Sequence, residues 1–311
     1  MINTLMIKQW VTMNGISAAL SRIQGETKGR LFTLMGVMIL SFDSLLVRLI
    51  DSDEWTLIFW RGLLPATMFF LAQWKIDPQI IKEHFFHPKT STLLTAALLS
   101  ASTICFVFSL DHTEVTSTLV IANTAPLITA VMGFFFLGEK LNRSTVIAII
   151  ISVGGIWLVF GYQPKLEERE GDLLALVTAI SMSVYLIMLR KTQARYATAF
   201  LIYSGIFTAI IALIAGAKPF SLPLIKDLYI VLLCGVVLPC SFLLINVGPR
   251  YLPAAEASLI LLLEVLFGPL LVWLILGEMP TPAVALGAGI IVVTLAGHTI
   301  WSQRKQTSPV Q

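Results

Sequence analysis

The chain has 311 residues, of which 57% are hydrophobic and 13% are charged, and its formal net charge is +3. A soluble domain is about 45–50% apolar and about 25% charged, so this chain has too few charged side chains to cover the surface of a water-soluble globule. The composition therefore excludes an ordinary cytosolic enzyme, a nucleic-acid-binding protein and a disordered chain.

Ten predominantly apolar stretches follow an N-terminal segment, residues 1–29, that mixes apolar and polar side chains. This segment is consistent with either an amphipathic helix on the inner membrane surface or a tail without fixed structure. Each apolar stretch approaches the roughly 20 residues that a helix needs to cross the hydrocarbon core. The stretches are 31–50, 55–74, 91–110, 115–137, 144–161, 172–189, 197–216, 226–247, 253–276 and 281–301.

These stretches are continuously apolar, whereas membrane strands would alternate between apolar and polar residues. The sequence therefore predicts an all-α integral membrane protein with ten transmembrane helices. Most of the 21 lysines and arginines fall on one side of the membrane when the amino terminus is placed in the cytoplasm. The positive-inside rule then predicts that both termini, including the tail 302–311, are cytoplasmic in a plasma (bacterial inner) membrane.

A Leu-Gly-Glu motif ends the fourth stretch at Glu139 and recurs at the end of the ninth stretch at Glu278. The starts of the two halves also share a Gly-x-Leu pattern, an apolar run with serine and a final arginine. These matches predict two five-helix repeats, 30–162 and 171–301. Because five is odd, the second repeat enters the membrane inverted, an arrangement that permits alternating access to a central site.

The duplicated motif, the ten stretches, Pro126 in the fourth stretch and the Glu264-to-Pro269 pattern in the ninth resemble EamA-type members of the drug/metabolite transporter superfamily. The resemblance spans about residues 30–301. It implies export, or sometimes import, of small metabolites such as amino acids or nucleotide-linked compounds. It also implies a central cavity lined by the first, third, fourth, sixth, eighth and ninth helices, with the fifth and tenth helices packed peripherally.

Ionisable side chains inside a membrane are costly and usually functional. Asp43 lies about 18 Å into the first helix by helical rise, near the midplane. It could carry a proton or face a cationic substrate group, or it could only hydrogen-bond to a neighbouring helix. Glu264 is similarly deep in the ninth helix, and its matched position in the first half is Ala125. Arg61 could pair with Asp43 or Glu264, or bind a substrate carboxylate.

Three uncharged side chains complete the candidate substrate-binding or coupling residues. Asn123 lies beside Pro126 and is a candidate hydrogen-bond donor to a central cavity. Trp60 and Tyr185 could supply aromatic walls, with apolar packing as the alternative for each.

Four residues are expected to have structural roles. Pro126 and Pro269 should interrupt the fourth and ninth helices, because proline removes a helical hydrogen bond. Glu139 and Glu278 each follow a glycine that can end a helix, and each precedes the next helix. Their carboxylates are therefore predicted to cap free amides.

Together these features predict a secondary active transporter that moves a small metabolite, amino-acid-like or a related polar or amphiphilic solute, by alternating access. Efflux is expected, driven by a proton gradient or by the solute's own gradient. The alternatives are an importer of a nucleotide-like metabolite and a non-transporting membrane subunit. No Walker A pattern, catalytic constellation or Cys/His cluster occurs in the sequence, so neither an enzyme, a cofactor nor a metal site is predicted. The expected partners are a small-molecule solute and the lipid bilayer but no nucleic acid, and a monomer suffices.

Overall fold

A computed structural model describes residues 25–76, 78–79, 85, 88–138, 143–162, 166–191, 197–221, 223–247 and 260–307. Every regular element within these ranges is helical, as the apolar stretches predict. The α-helices are α1 (Gly25–Leu40), α2 (Phe42–Ile50), α3 (Glu54–Ile76), α4 (Thr90–His112), α5 (Val115–Ala122), α6 (Ala125–Leu137), α7 (Arg143–Tyr162), α8 (Leu166–Lys191), α9 (Ala197–Ile214), α10 (Leu224–Ile230), α11 (Leu238–Val247), α12 (Leu263–Leu276) and α13 (Pro282–Thr307). A π-helix, π1 (Val231–Val237), joins α10 to α11.

Among the described residues, seven helical segments are long and apolar enough to cross a membrane. They are Thr27–Ile50, Glu54–Ile76, Thr90–His112, Val115–Phe136, Arg143–Phe160, Leu166–Met188 and Leu224–Ile245. Three shorter apolar helices, Thr198–Ile214, Leu263–Leu276 and Pro282–His298, accompany them. The predicted all-helical membrane fold is thus confirmed at the level of helix type and composition.

The sixth stretch begins earlier than predicted, because α8 starts at Leu166 rather than near residue 172. Its first turn carries Glu167 and Glu168, and negative charges stabilise the positive end of a helix dipole. The charged sequence that suggested a loop is therefore the first turn of the helix.

Three of the apolar stretches contain a break in the helix. Ser41 separates α1 from α2, and Asn123 with Thr124 separates α5 from α6. A turn at Leu262 precedes α12. Pro126 lies in the first turn of α6, directly after the break at Asn123 and Thr124.

The predicted interruption at Pro269 is wrong, because α12 runs without a break from Leu263 to Leu276 and contains this proline. Proline removes one amide donor, and a membrane helix tolerates this where neighbouring helices pack around the freed carbonyl. The eighth stretch also keeps its helical path around Pro239, the second residue of α11, which follows the wider turns of π1.

The main apolar cluster packs α2 against α3, α4 and π1 through fully buried side chains such as Ile50, Ile58, Leu110 and Leu233. A second cluster joins Val120 of α5 and Leu127 of α6 to Val265 of α12 and Ile291 of α13. The two clusters hold α2, α5 and α12 against one another. Their packing positions the polar side chains that lie between these helices.

Glycines allow two pairs of helices to touch backbone to backbone. A Cβ atom added to Gly62 of α3 would lie 2.5 Å from the carbonyl oxygen of Gly205, and one added to Gly205 of α9 would overlap the carbonyl oxygen of Gly62. In the second pair, a Cβ on Gly287 of α13 would lie 3.0 Å from the Gly155 carbonyl oxygen of α7. Small residues are what membrane helices use for such close contact.

We expect Gly62→Ala and Gly205→Ala each to lower the free energy of unfolding by about 1–3 kcal/mol, because the added methyl group forces α3 and α9 apart. Thermal unfolding of the purified protein in detergent would measure the change. Gly289→Ala is the matched control, since a Cβ there meets no atom within 4 Å. Equal melting temperatures for all three variants would contradict the inferred contact.

Candidate functional site

A buried ion pair joins the first turn of α2 to α3. The Nη1 and Nη2 atoms of Arg61 donate to the two carboxylate oxygens of Asp43 at 2.5 and 2.6 Å. Their side chains are 8% and 6% exposed, respectively. Asp43 and Glu264 were the two acids expected to pair with Arg61, and the structure places Asp43 in direct contact with it.

The geometry of this pair suits the two side chains. A planar guanidinium matches a carboxylate with two parallel hydrogen bonds, which lysine could not provide. The Cζ atom of Arg61 also lies 5.2 Å from the centre of the Phe106 ring on α4, so a cation–π contact covers one face of the guanidinium. Arg61 is thus held by side chains from two neighbouring helices.

Glu264 lies in the first turn of α12, directly after the break at Leu262, and is partly exposed. Both Asp43 and Arg61 are close enough to interact with its carboxylate electrostatically. We call Asp43, Arg61 and Glu264 the buried ionic cluster. Two of its three members thus occupy first turns of helices that start at a break, where the free amides favour negative charge.

Gly268, one turn beyond Glu264, allows α12 to lie close to two other helices. A Cβ atom at this position would lie 2.6 Å from Leu119 of α5 and 3.3 Å from the Ser44 hydroxyl of α2. The glycine therefore sets how close α12 comes to α2, and with it the separation between Glu264 and Asp43.

The three uncharged candidates make contacts of their own. The Asn123 side-chain amide donates to the Leu119 carbonyl at 2.9 Å, at the break that follows α5. The Trp60 indole N–H donates to the Pro219 carbonyl at 3.1 Å, in the loop after α9. Tyr185 is buried on α8 and packs edge-on against Phe200. These contacts favour the packing alternative for Trp60 and Tyr185.

The ends of the two Leu-Gly-Glu helices follow the prediction for their glycines. Gly138 and Gly277 have φ angles of 68° and 75°, the left-handed conformation that ends a helix. Glu139 lies outside the described residues. The Glu278 carboxylate lies 3.6 Å from Nε of Arg48, whose Nη2 donates to the Thr113 carbonyl at 3.0 Å.

The predicted capping role of Glu278 needs correction, because Glu114 takes that role at α13. The Thr281 amide, directly before α13, donates to both carboxylate oxygens of Glu114 at 3.1 and 3.0 Å. Sequence reasoning missed Glu114 because its partner lies 167 residues away.

Sequence reasoning also missed Asp172, which is fully buried near the start of α8. Its carboxylate accepts hydrogen bonds from the hydroxyl groups of Thr113, at 2.9 Å, and Ser117. The predicted stretch began at Asp172, whereas α8 begins at Leu166, so this residue lies inside the helix rather than at its first position. Gly171 brings α8 against the chain at Thr113, where an added Cβ would lie 2.7 Å from the threonine Cβ.

A cavity of about 370 Å³ opens at this end of the helix bundle. We call it the end cavity, and it reaches along α12 as far as Pro269, about 7–8 Å of helical rise from Glu264. Its lining contains four carboxylate side chains and one arginine, so the charge of the cavity is predominantly negative. The lining residues are Arg48, Asp111, His112, Thr113, Glu114, Val115, Thr116, Glu168, Pro269, Val272, Glu278, Met279 and Pro280.

Burial raises the pKa of Glu114 above its ordinary value of 4.5, and the negative charges of Glu168 and Asp172 raise it further. The hydrogen bonds from Thr281 act in the opposite direction, because they stabilise the ionised form. The end cavity therefore gains a negative charge as the pH rises through the pKa of this residue.

An all-helical chain with spanning apolar helices, helix breaks and a buried ionic cluster is typical of membrane transport proteins for small solutes. A sequence profile of the EamA-like transporter family matches residues 27–161 and, separately, residues 169–299. The chain belongs to the EamA-like transporter family, so the resemblance predicted from the sequence is confirmed.

Curated relatives carry transporter names. A protein of Rickettsia bellii named "S-adenosylmethionine uptake transporter" is 25% identical over 70% of this chain and 74% of its own length. An "Uncharacterized transporter" of Clostridium kluyveri is 25% identical over 63% of this chain and 67% of its own. A solved crystal structure superimposes with a TM-score of 0.64 at 16% identity, over 90% of this chain and 99% of that one, which shows a shared fold.

Family membership and the apolar helices identify the chain as an integral membrane protein that transports a small-molecule solute. The membrane, transmembrane and transporter predictions are confirmed by these comparisons. The family and the names of the relatives indicate a transporter, as predicted from the sequence, and a transporter is not an enzyme.

We expect Asp43→Asn to lower the free energy of unfolding by about 3 kcal/mol, because the charge of Arg61 remains buried without its bidentate partner. The double variant Asp43→Asn, Arg61→Met should recover much of that loss, since it removes both charges. Denaturant unfolding in detergent would measure both. Asp51→Asn is the control, because the side chain of Asp51 is 91% exposed. Unchanged stability in Asp43→Asn would contradict the importance of the pair.

We expect Glu114→Gln to flatten the dependence of melting temperature on pH. A carboxyl group with a raised pKa in the folded state binds protons more tightly there than in the unfolded chain, so its destabilising effect appears as pH rises from 4.5 through the folded pKa. The wild type should therefore lose stability over this window more than the variant. Glu167→Gln, at an exposed position of α8, is the control and should retain the wild-type slope.

Proposed function

We propose that the chain is a secondary transporter with ten spans arranged as two inverted five-helix repeats, 30–162 and 171–301, with both termini in the cytoplasm. The seven long and three shorter apolar helices supply the required number of spans. The family profile matches twice, once in each half. The helix breaks at Asn123 and Leu262 are 139 residues apart, the same spacing that relates the two Leu-Gly-Glu motifs.

The buried ionic cluster is the observation that carries the transport site. Charged groups in a membrane interior are costly, and a bundle that served only as a scaffold would be more stable with apolar side chains at these positions. The cluster lies where α2 and α12 begin after a break, which is where transporters commonly bind solutes. Alternating access then exposes this site to the two sides of the membrane in turn.

The substrate that we propose is a small, amino-acid-like metabolite carrying a positive charge. By the predicted orientation, the acidic end cavity faces the outside of the cell, and a cleft of one charge sign raises the local concentration of solutes of the other sign. Relatives named as S-adenosylmethionine uptake transporters support a substrate of this type, since S-adenosylmethionine is a sulfonium cation with an amino acid group.

Direction and energy source follow from this proposal. The names of these relatives favour uptake across the plasma membrane over the efflux expected from the sequence. A monomer suffices, because each chain would contain both halves of the site. A proton gradient or the gradient of a second solute would supply the energy.

Reconstituted proteoliposomes test the function directly. We expect radiolabelled S-adenosylmethionine to accumulate in vesicles containing the wild-type protein, and Glu264→Ala to reduce the initial rate at least tenfold. Glu167→Ala should transport normally, because this residue lies at an exposed helix start. Efflux of an amino-acid-like solute is the second candidate, and counterflow from preloaded vesicles would detect it. No flux of any charged metabolite in either direction would contradict the transport proposal.

A further inference from the structure

The charges of the buried ionic cluster do not cancel. Asp43 and Arg61 neutralise one another through two short hydrogen bonds that use both oxygens of the carboxylate. Glu264 is a second acid beside this pair. With all three groups ionised, the cluster has one negative charge in excess.

Glu264 differs from Asp43 in how it is bound. Among the described residues, no hydrogen bond or ion pair reaches the Glu264 carboxylate, and its interactions with Asp43 and Arg61 are electrostatic. The residue is partly exposed. Asp43, by contrast, has both oxygens occupied and is almost completely shielded from solvent.

Among the described residues, the helices packed around Glu264 offer no uncommitted cation to balance it, because Arg48 of α2 pairs with Glu278. Asp43 comes from α2 and Arg61 from α3, and Cys234 of π1 neighbours Arg61. The packed segment α5 has no charged residue. The described basic side chains of α1, Lys28 and Arg30, lie in its first six residues, at the far end from Ser41.

An ionised carboxylate in this interior needs a positive partner, because neither lipid nor apolar side chains can solvate it. The partner can be a proton or a cationic group of a solute. The guanidinium of Arg61 cannot balance both acids, since its charge already serves Asp43.

We infer that Glu264 is the exchangeable charge of the transport site, which holds a proton when the site is empty and releases it to bind the positively charged group of an organic cation. Asp43 and Arg61 are the fixed part of the site. One proton leaves the Glu264 carboxyl group for each monovalent cation that binds, so charge balances in both states. This inference rests on the proposed function and adds the residue and the substrate charge that it recognises.

Infrared difference spectroscopy of the protein in lipid tests the proton step without a substrate. Between acidic and alkaline pH, we expect the carbonyl band of a buried protonated carboxyl group to disappear. All spectra use the Glu114→Gln background, because burial also raises the pKa of Glu114. In this background the band should be absent when Glu264→Gln is added, which keeps the shape of the side chain, and present when Glu167→Gln is added. A band that persists in Glu264→Gln would overturn the assignment to this residue, as would the absence of such a band in the wild type.

Addition of organic cations at acidic pH tests the exchange step. S-adenosylmethionine is one probe, and tetramethylammonium and guanidinium are two others that present only a positive group. At least one of them should remove the Glu264 band and release about one proton per bound cation, measured by calorimetry in two buffers of different ionisation enthalpy. S-adenosylhomocysteine, which lacks the methyl group and with it the sulfonium charge, so that its remaining ammonium is balanced by its own carboxylate, should do neither. Failure of every cation to displace the proton would overturn the inference.

Failure of this inference and failure of the proposed function give different results. Transport without loss of the infrared band would support the proposal that the chain is a transporter and overturn the role of Glu264. Proton displacement by a cation without flux would retain the binding step and contradict transport.

Discussion

The rest of the site depends on one constraint, which is that the membrane interior cannot solvate the carboxylate of Asp43. Helix α2 places this side chain in the membrane interior, and Arg61 of the adjacent helix α3 donates two hydrogen bonds to its carboxylate. Because the guanidinium is committed to this contact and covered by Phe106, it fixes the relative rotation of α2, α3 and α4. The remaining charge of the site is therefore decided by Glu264.

The two acids of the site occupy comparable positions on helices that belong to different predicted halves. Each lies in the first turn of a segment that begins at a break, where free amide groups favour a negative charge. The break at Asn123 has no corresponding acid, since Ala125 occupies the position that Glu264 has in the other half. Of these two matched breaks, only the one before Glu264 therefore carries an acid, and Asp43 lies at a different break, between α1 and α2.

The apolar stretches could be predicted from the sequence because lipid thickness fixes the length of a spanning helix. Asp43, Arg61 and Glu264 could be singled out because a charge within such a stretch is rare. Their pairing could not be derived, since helical spacing alone does not say which faces of two helices meet. Glu114 and Asp172 were missed for a related reason. In the sequence they lie at the edges of the predicted stretches, where acids are common, and their partners are supplied by distant segments.

The two glycine contacts join equivalent helices of the predicted halves. Gly62 and Gly205 lie on the second and seventh predicted spans, and Gly155 and Gly287 lie on the fifth and tenth. A contact between equivalent elements related by a twofold operation is isologous, as in the interface of a symmetric dimer. In both pairs each helix presents a glycine backbone to its counterpart. If the predicted repeats are related by a twofold axis, these contacts correspond to those between two subunits, within a single polypeptide.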